Sequence, residues 1–268
     1  TKQMEMMNPQ NFWKKYSPGN NQTLMIKAGY AEVLIKHVAR GWQVKSRTAD
    51  QPSDLLSVNE TEDLTDDQDV LHFYAGNSNQ LLLVPALPDK AVVFRNTKNI
   101  KLSAGESASL FFRIPLNIQF YFDEIKEENR IAEVPLQRLS DTWFGEMDNG
   151  EPAYSIGSNY YRSVDETEAK AWEAIVPVEI INNTFGVLEL QRLILRVEEF
   201  TLYLNNGRIL TSHVAIEFKG LDQAESVSLS THDEIHGTQP EMIAKCRYTE
   251  SKRLLRRSFF FIKNIYQS

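Results

Sequence analysis

The sequence is poor in cysteine: Cys246 stands alone among 268 residues. No internal disulfide can form, so the chain is expected in a reducing compartment, the cytoplasm. Long apolar runs are missing as well. The longest, residues 81–88 and 258–262, fall far short of the ~20 residues that cross a bilayer as a helix. Residues 1–8 hold no hydrophobic segment of the kind a secretory signal needs. Positive charge is in deficit, with 29 Lys and Arg against 36 Asp and Glu. Binding driven by phosphate neutralisation needs the opposite balance, so nucleic acid is not an expected partner. Also missing are the Gly-x-Gly-x-x-Gly and Walker phosphate loops, the nucleophile elbow and any Cys-x-x-Cys pair. Their absence disfavours nucleotide-dependent and redox enzymes, and no cofactor is expected.

What the chain does have is short β-prone runs divided by turn chemistry. Residues 23–26 and 30–36 alternate around Ala28-Gly29, which reads as a tight turn because glycine supplies a positive φ. Further runs fall at 42–47, 70–74, 80–84, 91–95, 100–102, 108–114 and 117–122. The second half continues with 153–161, 170–181, 186–196, 201–205, 209–218 and 224–229. Pro85 and Pro88 cannot donate a ladder hydrogen bond and mark a strand end or a sheet edge. Asn205-Asn206-Gly207 is the strongest local signal, since Asn-Gly between β-prone runs suits a two-residue type I′ turn. Residues 48–69 are rich in Ser, Asp, Glu and Asn; they bury too little apolar surface to offset ordering entropy and read as a long, mobile loop. The charged stretch 123–130 lacks a core face and reads as a boundary. The expected fold is mainly β: antiparallel β-sandwich-like units with a C-terminal helical or extended arm. Its expected parts are an N-terminal segment (1–22), one unit over 23–125, a second over 130–232 and a basic arm over 237–268.

Two stretches favour helix, residues 8–16 and, more clearly, 242–266. In the latter, Leu255, Phe259, Ile262 and Tyr266 share one helical stripe while Arg253, Arg256, Arg257 and Lys263 turn mostly away. Three successive phenylalanines from Phe259 make a strand reading nearly as good. Residues 245–263 carry seven cations against one acid, Glu250, opposite in sign to the remaining chain. An apolar stripe beside a basic flank suits a partner's groove or an anionic membrane surface. Arg253, Arg256, Arg257, Phe259 and Ile262 are therefore the candidate partner-binding residues, for a protein partner or for self-association. Packing of the stripe on the chain's own acidic body is the competing reading.

Candidate chemistry is thin. His232-Asp-Glu-Ile-His236 spaces two imidazoles by four residues, but not in the His-Glu-x-x-His order of a zinc protease. Ser, Thr, Gly237 and Pro240 around it suggest solvated loop residues, and no metal site is assigned. Cys246 lies between Lys245 and Arg247, which would favour a thiolate, yet no catalytic signature accompanies it; it reads as a small buried apolar residue. Acidic residues 60–69 lack the glycine and terminal glutamate of a helix-loop-helix calcium site and read as solvated. Trp143, Phe144, Tyr154 and Trp172 are the candidate ligand-binding residues, an aromatic platform for a sugar or peptide joined by Tyr160 and Tyr161. A sandwich core would use the same residues. Adjacent strand residues face opposite ways, so one of Trp143 and Phe144 should point away from the core. No catalytic residue is assigned.

Leu139-Ser-Asp-Thr-Trp-Phe-Gly145, followed by Gly150-Glu-Pro-Ala-Tyr154, resembles a block of Domain of Unknown Function 432, an uncharacterised family of archaeal and bacterial proteins. Leu82-Leu-Val-Pro85 with Pro88, Ser103-Ala-Gly-Glu106, Arg113-Ile-Pro115 and Val176-Pro-Val-Glu-Ile-Ile-Asn182 are similar to that family too, over most of residues 80–218. The resemblance implies the β architecture and carries no catalytic residues across. The occurrence of family members beside, or fused to, small mechanosensitive channels implies a regulatory or membrane-associated role. The expected function is a non-enzymatic interaction or regulatory module, cytoplasmic and peripheral to a membrane or channel. A carbohydrate- or small-ligand-binding β-sandwich is the alternative, and an unrecognised metal-dependent hydrolase comes third.

Overall fold

The computed structural model describes residues 8–61, 64, 68–145, 150–220 and 226–248 and the backbone of 263–265; for 96–98, 158 and 191 it describes the backbone alone. A one-turn helix α1 (Pro9–Phe12), capped by the Asn8 side chain, and a two-residue strand β1 (Lys15–Tyr16) come first. The helix expected over 8–16 therefore ends after one turn, because Lys15 and Tyr16 take sheet partners at Leu82 and Leu81 instead.

Next come β2 (Thr23–Val38) and β3 (Gly41–Thr61), a long antiparallel ribbon, with β4 (Leu71–Tyr74) alongside β3. On β2 the buried apolar side chains are Leu24, Ile26 and Ala28 before Gly29, then Ala31, Val33 and Ile35 after it. The alternation slips by one residue at Gly29, whose φ is +53°, and the ladder shifts register at the same place. Ala28-Gly29 is thus a β-bulge within one strand rather than the expected turn, and it keeps apolar side chains on the core side of both halves. Residues 48–61, expected to form a mobile loop, are strand. Their polar side chains face solvent for most of that length, while Thr48, Ser53 and residues 57–61 take backbone partners on β2.

The chain continues through β5 (Leu81–Ala86), β6 (Val92–Leu102), β7 (Ser107–Pro115), β8 (Asn117–Phe122), β9 (Arg130–Pro135), β10 (Ser140–Phe144) and β11 (Glu151–Ser158). Then follow β12 (Glu173–Asn182), β13 (Leu188–Leu195), β14 (Leu202–Asn205), β15 (Arg208–Thr211), β16 (His213–Phe218) and β17 (Ser226–Ser230). A one-turn helix α2 (Asp233–His236), β18 (Glu241–Ala244) and β19 (Lys263–Ile265) complete the described elements. The fold is mainly β, as expected, and mostly antiparallel; β6 with β11, and β12 with both β15 and β16, pair in parallel. Where an arm helix is expected over 242–266, the described ends are strands, β18 on β14 and β19 on β13. Their backbone groups are taken by neighbouring strands rather than by a helix.

Three local differences have physical causes. The runs at 91–95 and 100–102 are one strand, β6, because a register shift opposite β13 absorbs the polar residues between them. The single run expected over 209–218 is two strands, and the break at Ser212 lies opposite Pro177 of β12, which has no N–H to give a ladder. Asn206-Gly207 does make the expected two-residue turn, with φ of +49° and +74° and Asn205 paired to Arg208.

The described strands form four sheets, with orders β1-β5-β8-β9, β10-β11-β6-β13-β19, β17-β16-β12-β15-β14-β18 (with β7 also on β12) and β2-β3-β4. One apolar cluster takes residues from Phe12 to Phe218, with Phe94 and Phe112 in ring contact at 5.0 Å near its middle. Pairings of β8 with β9, β6 with β11 and β7 with β12 all cross the stretch 123–130.

Candidate ligand-binding clefts

Two paired strands supply the polar wall of the site. On β8, Ile118 and Phe120 are wholly buried in the main core, which turns Asn117, Gln119 and Tyr121 to the other side. Glu133 of β9 stands opposite Gln119 in register. Its carboxylate accepts from Asn117 Nδ2 at 2.6 Å, Gln119 Nε2 at 2.9 Å and the Arg247 guanidinium at 3.0 Å. Arg130 stands 3.7 Å away, and the Tyr121 hydroxyl donates to Gln119 Oε1 at 2.9 Å. Burial alone would push Glu133 up; the hydrogen bonds from Arg247, Asn117 and Gln119, with the Arg247 charge, outweigh it and hold the carboxyl below its ordinary value.

Arg247 reaches this wall from beyond β18. Its Nε donates to the Leu87 carbonyl at 2.8 Å, and its backbone N–H donates to the Glu198 carbonyl at 3.0 Å. One residue thus ties the chain leaving β18 to β9, to the β5–β6 connection and to the 3₁₀ turn Val197–Glu199.

A cleft opens on each side of the wall, and Arg130 and Arg247 line both. The first, of about 550 Å³, has the apolar residues Leu87, Phe200, Leu202 and Met242 among its lining. The second, of about 530 Å³, is polar. There Tyr154 donates its hydroxyl to Asp89 Oδ1 at 2.9 Å, and Lys90 Nζ sits 4.7 Å above the Tyr154 ring and 3.3 Å from Asp141. Burial pushes the Tyr154 hydroxyl up and the bond to Asp89 adds to it. For Lys90 burial works against the charge, but Tyr154, Asp141 and Asp89 outweigh it and raise the ammonium's pKa. The second cleft is lined by the cations Lys90, Arg130, Arg138 and Arg247 against the carboxylates Asp89, Glu133 and Asp141, an excess of one positive charge in a chain of net −7.

The four aromatic candidates part company. Tyr154 lines the second cleft, and Trp143, 54% exposed, lies on the same side of the β10–β11 hairpin, since Asp141 pairs with Tyr154 and Trp143 with Pro152. Phe144 points the other way, into a small buried cluster with Ala91, Val93, Ala153 and Ile194. Trp172 is buried in the main core, edge-on to Tyr30 at 6.3 Å. Arg253, Arg256, Arg257, Phe259 and Ile262 lie outside the described residues. Glu133, Gln119 and Arg247 emerge only here. Their one sequence signal was the polar face of β8, where Asn117, Gln119 and Tyr121 alternate with apolar residues.

His236 is buried rather than solvated, because α2 folds back on β14 and reaches the end of β15. Its Nε2 is 2.8 Å from the Thr211 carbonyl and its Nδ1 accepts from the His232 N–H at 3.1 Å. The His232 ring lies over His213 at 4.0 Å. Among the described residues no group of three or more His, Cys, Asp or Glu is placed to hold a metal ion. Cys246 donates its thiol to the Tyr248 carbonyl at 3.1 Å.

A family model described as a protein of unknown function (DUF432) matches residues 12–263, nearly the whole chain. No curated protein and no solved structure matches it.

Proposed function

Because the chain belongs to the DUF432 family, whose description assigns no activity, we propose its function from the clefts: a non-enzymatic, ligand-responsive interaction module. The second cleft is the receptor for a small polar ligand. The observation that carries this reading is Arg247, which is at once a wall of the cleft and the anchor of the chain leaving β18. A ligand that braces or displaces its guanidinium changes how firmly that chain is held. Glu133, kept ionised by its donors, suits ligand orientation better than proton transfer. Within this reading the C-terminal residues Arg253, Arg256, Arg257, Phe259 and Ile262 meet a protein partner or an anionic cytoplasmic membrane surface, a role supported by sequence pattern alone.

A fragment screen followed by protein-observed NMR tests the proposal. Hits are expected to move the resonances of Asp89, Lys90 and Tyr154 saturably, and Arg247→Ala to weaken the best hit by about tenfold or more. Hits confined to other surfaces, or an R247A variant that binds like the wild type, would overturn it. A saccharide is the favoured ligand class because Trp143 and Tyr154 share one side of the hairpin beside Asp89 and Asp141. On that reading Trp143→Ala abolishes saccharide binding while the circular dichroism spectrum stays unchanged.

A further inference from the structure

The connection between β12 and β13 is built around a wholly buried asparagine. Asn182 Nδ2 donates to the Leu102 carbonyl at 2.8 Å and to the Gly186 carbonyl at 2.9 Å. Its Oδ1 accepts from the Thr184 N–H at 3.1 Å and from the Thr184 hydroxyl at 2.7 Å. The neighbouring turn is tied in as well, by Gly105 N–H to the Asn182 carbonyl at 2.7 Å and Asn182 N–H to the Glu106 carbonyl at 2.9 Å. This bracing presents two apolar side chains to solvent: Phe185 is fully exposed, and Val187 beside it is 46% exposed. A rigid loop that holds an aromatic ring away from the body has already met most of the ordering cost of binding.

We propose that Phe185 is a docking finger that seats in the first cleft of a second copy of this chain. That cleft has buried Leu87 and Phe200 as floor and exposed Met242 and Ile125 as rim, an apolar strip between charged walls in a space of about 550 Å³ that admits a ring and the residues beside it. Charge also matches. Glu106 and Glu217 flank the finger, with Lys219 bound to Glu217, whereas the cleft holds Lys245, Arg130 and Arg247 against Glu127 and Glu198. The finger precedes β13 and the cleft residues Glu198 and Phe200 follow it, so the two lie at opposite ends of a strand about 26 Å long. A chain cannot fill its own cleft with its own finger, and the contact is head to tail. The carboxylates beside Phe185 disfavour an anionic lipid surface, and one ring offers little apolar area to hold the chain on a bilayer.

Sedimentation velocity of the full chain over rising concentration tests the proposal. The wild type is expected to grow in average mass, and Phe185→Ser and Met242→Glu, both at exposed positions, to remain monomeric with unchanged circular dichroism. Mixing the two variants restores one contact, because F185S keeps its cleft and M242E keeps its finger; the mixture is expected to stop at a heterodimer. A wild type that stays monomeric, an F185S variant that associates normally, or a mixture that stays monomeric overturns the proposal. So does a monomeric wild type that floats with anionic vesicles and loses that binding on F185S.

Discussion

Buried His213 and half-buried Glu133 both weigh on the acid side of the stability profile, beside His37, Glu32 and Glu217, whose folded values are lowered as well. Burial, and then the charges of His232 and His236, hold His213 down to about 4 from an ordinary 6.5. Its Nδ1 is buried with no hydrogen-bond partner among the described residues, so a proton there has no acceptor. The unfolded chain takes up this proton near 6.5 and the folded chain resists until about 4. Its contribution is therefore whole above that window and falls through it, by at most about 1.4 kcal/mol per pH unit. Glu133 acts lower: its folded value lies below the ordinary 4.5, so its contribution is present above 4.5 and is lost as pH falls further. Urea titrations at a series of acid pH values are expected to show His213→Asn flattening the upper limb alone and Glu133→Gln the lower limb alone. An upper limb that H213N leaves untouched sinks the assignment to His213.

At the scale of elements, the bulge in β2 is a junction between sheets. Tyr30 N–H donates to the Leu136 carbonyl at 2.7 Å, and a Cβ on Gly29 would stand 2.6 Å from that same oxygen and 3.0 Å from the Trp172 ring. Gly105 is the natural control, with a similarly positive φ of +79° but nothing within 4 Å of an added Cβ. Gly105→Ala is expected to cost only the left-handed backbone penalty, about 1–2 kcal/mol. Gly29→Ala carries that penalty and must also push Leu136 off Tyr30, so its melting temperature should fall clearly further; equal losses for the two variants would mean that the close approach does not matter. The change of phase was legible in the sequence, with Leu24 and Ile26 on one parity and Val33 and Ile35 on the other. A two-residue turn at Ala28-Gly29 gives the same change, because residues i and i+3 then face each other; only the pairing of both halves with β3 makes it a bulge.

For the whole molecule, the strand ladders decide how the chain responds to cutting. Limited proteolysis within residues 123–129, an exposed link between β8 and β9, is expected to leave two fragments that co-elute on gel filtration. They share the β8–β9, β6–β11 and β7–β12 ladders and one apolar cluster. Fragments that separate as folded bodies under native conditions would refute this.

The sequence by itself determined the strand content, the Asn206-Gly207 hairpin and the opposite facing of Trp143 and Phe144. Each follows from residues that are neighbours in the chain, where side-chain alternation and φ preference act directly. It misjudged residues 48–61 because composition measures how much a segment buries, whereas a strand needs only a partner for its backbone, and β2 lies alongside. Only the tertiary structure decided the site. Glu133 and Arg247 are 114 residues apart, and Tyr154 meets Asp89 across 65. No local pattern encodes such pairs, because the energy that joins them arises only after the sheets have packed and brought distant strands together.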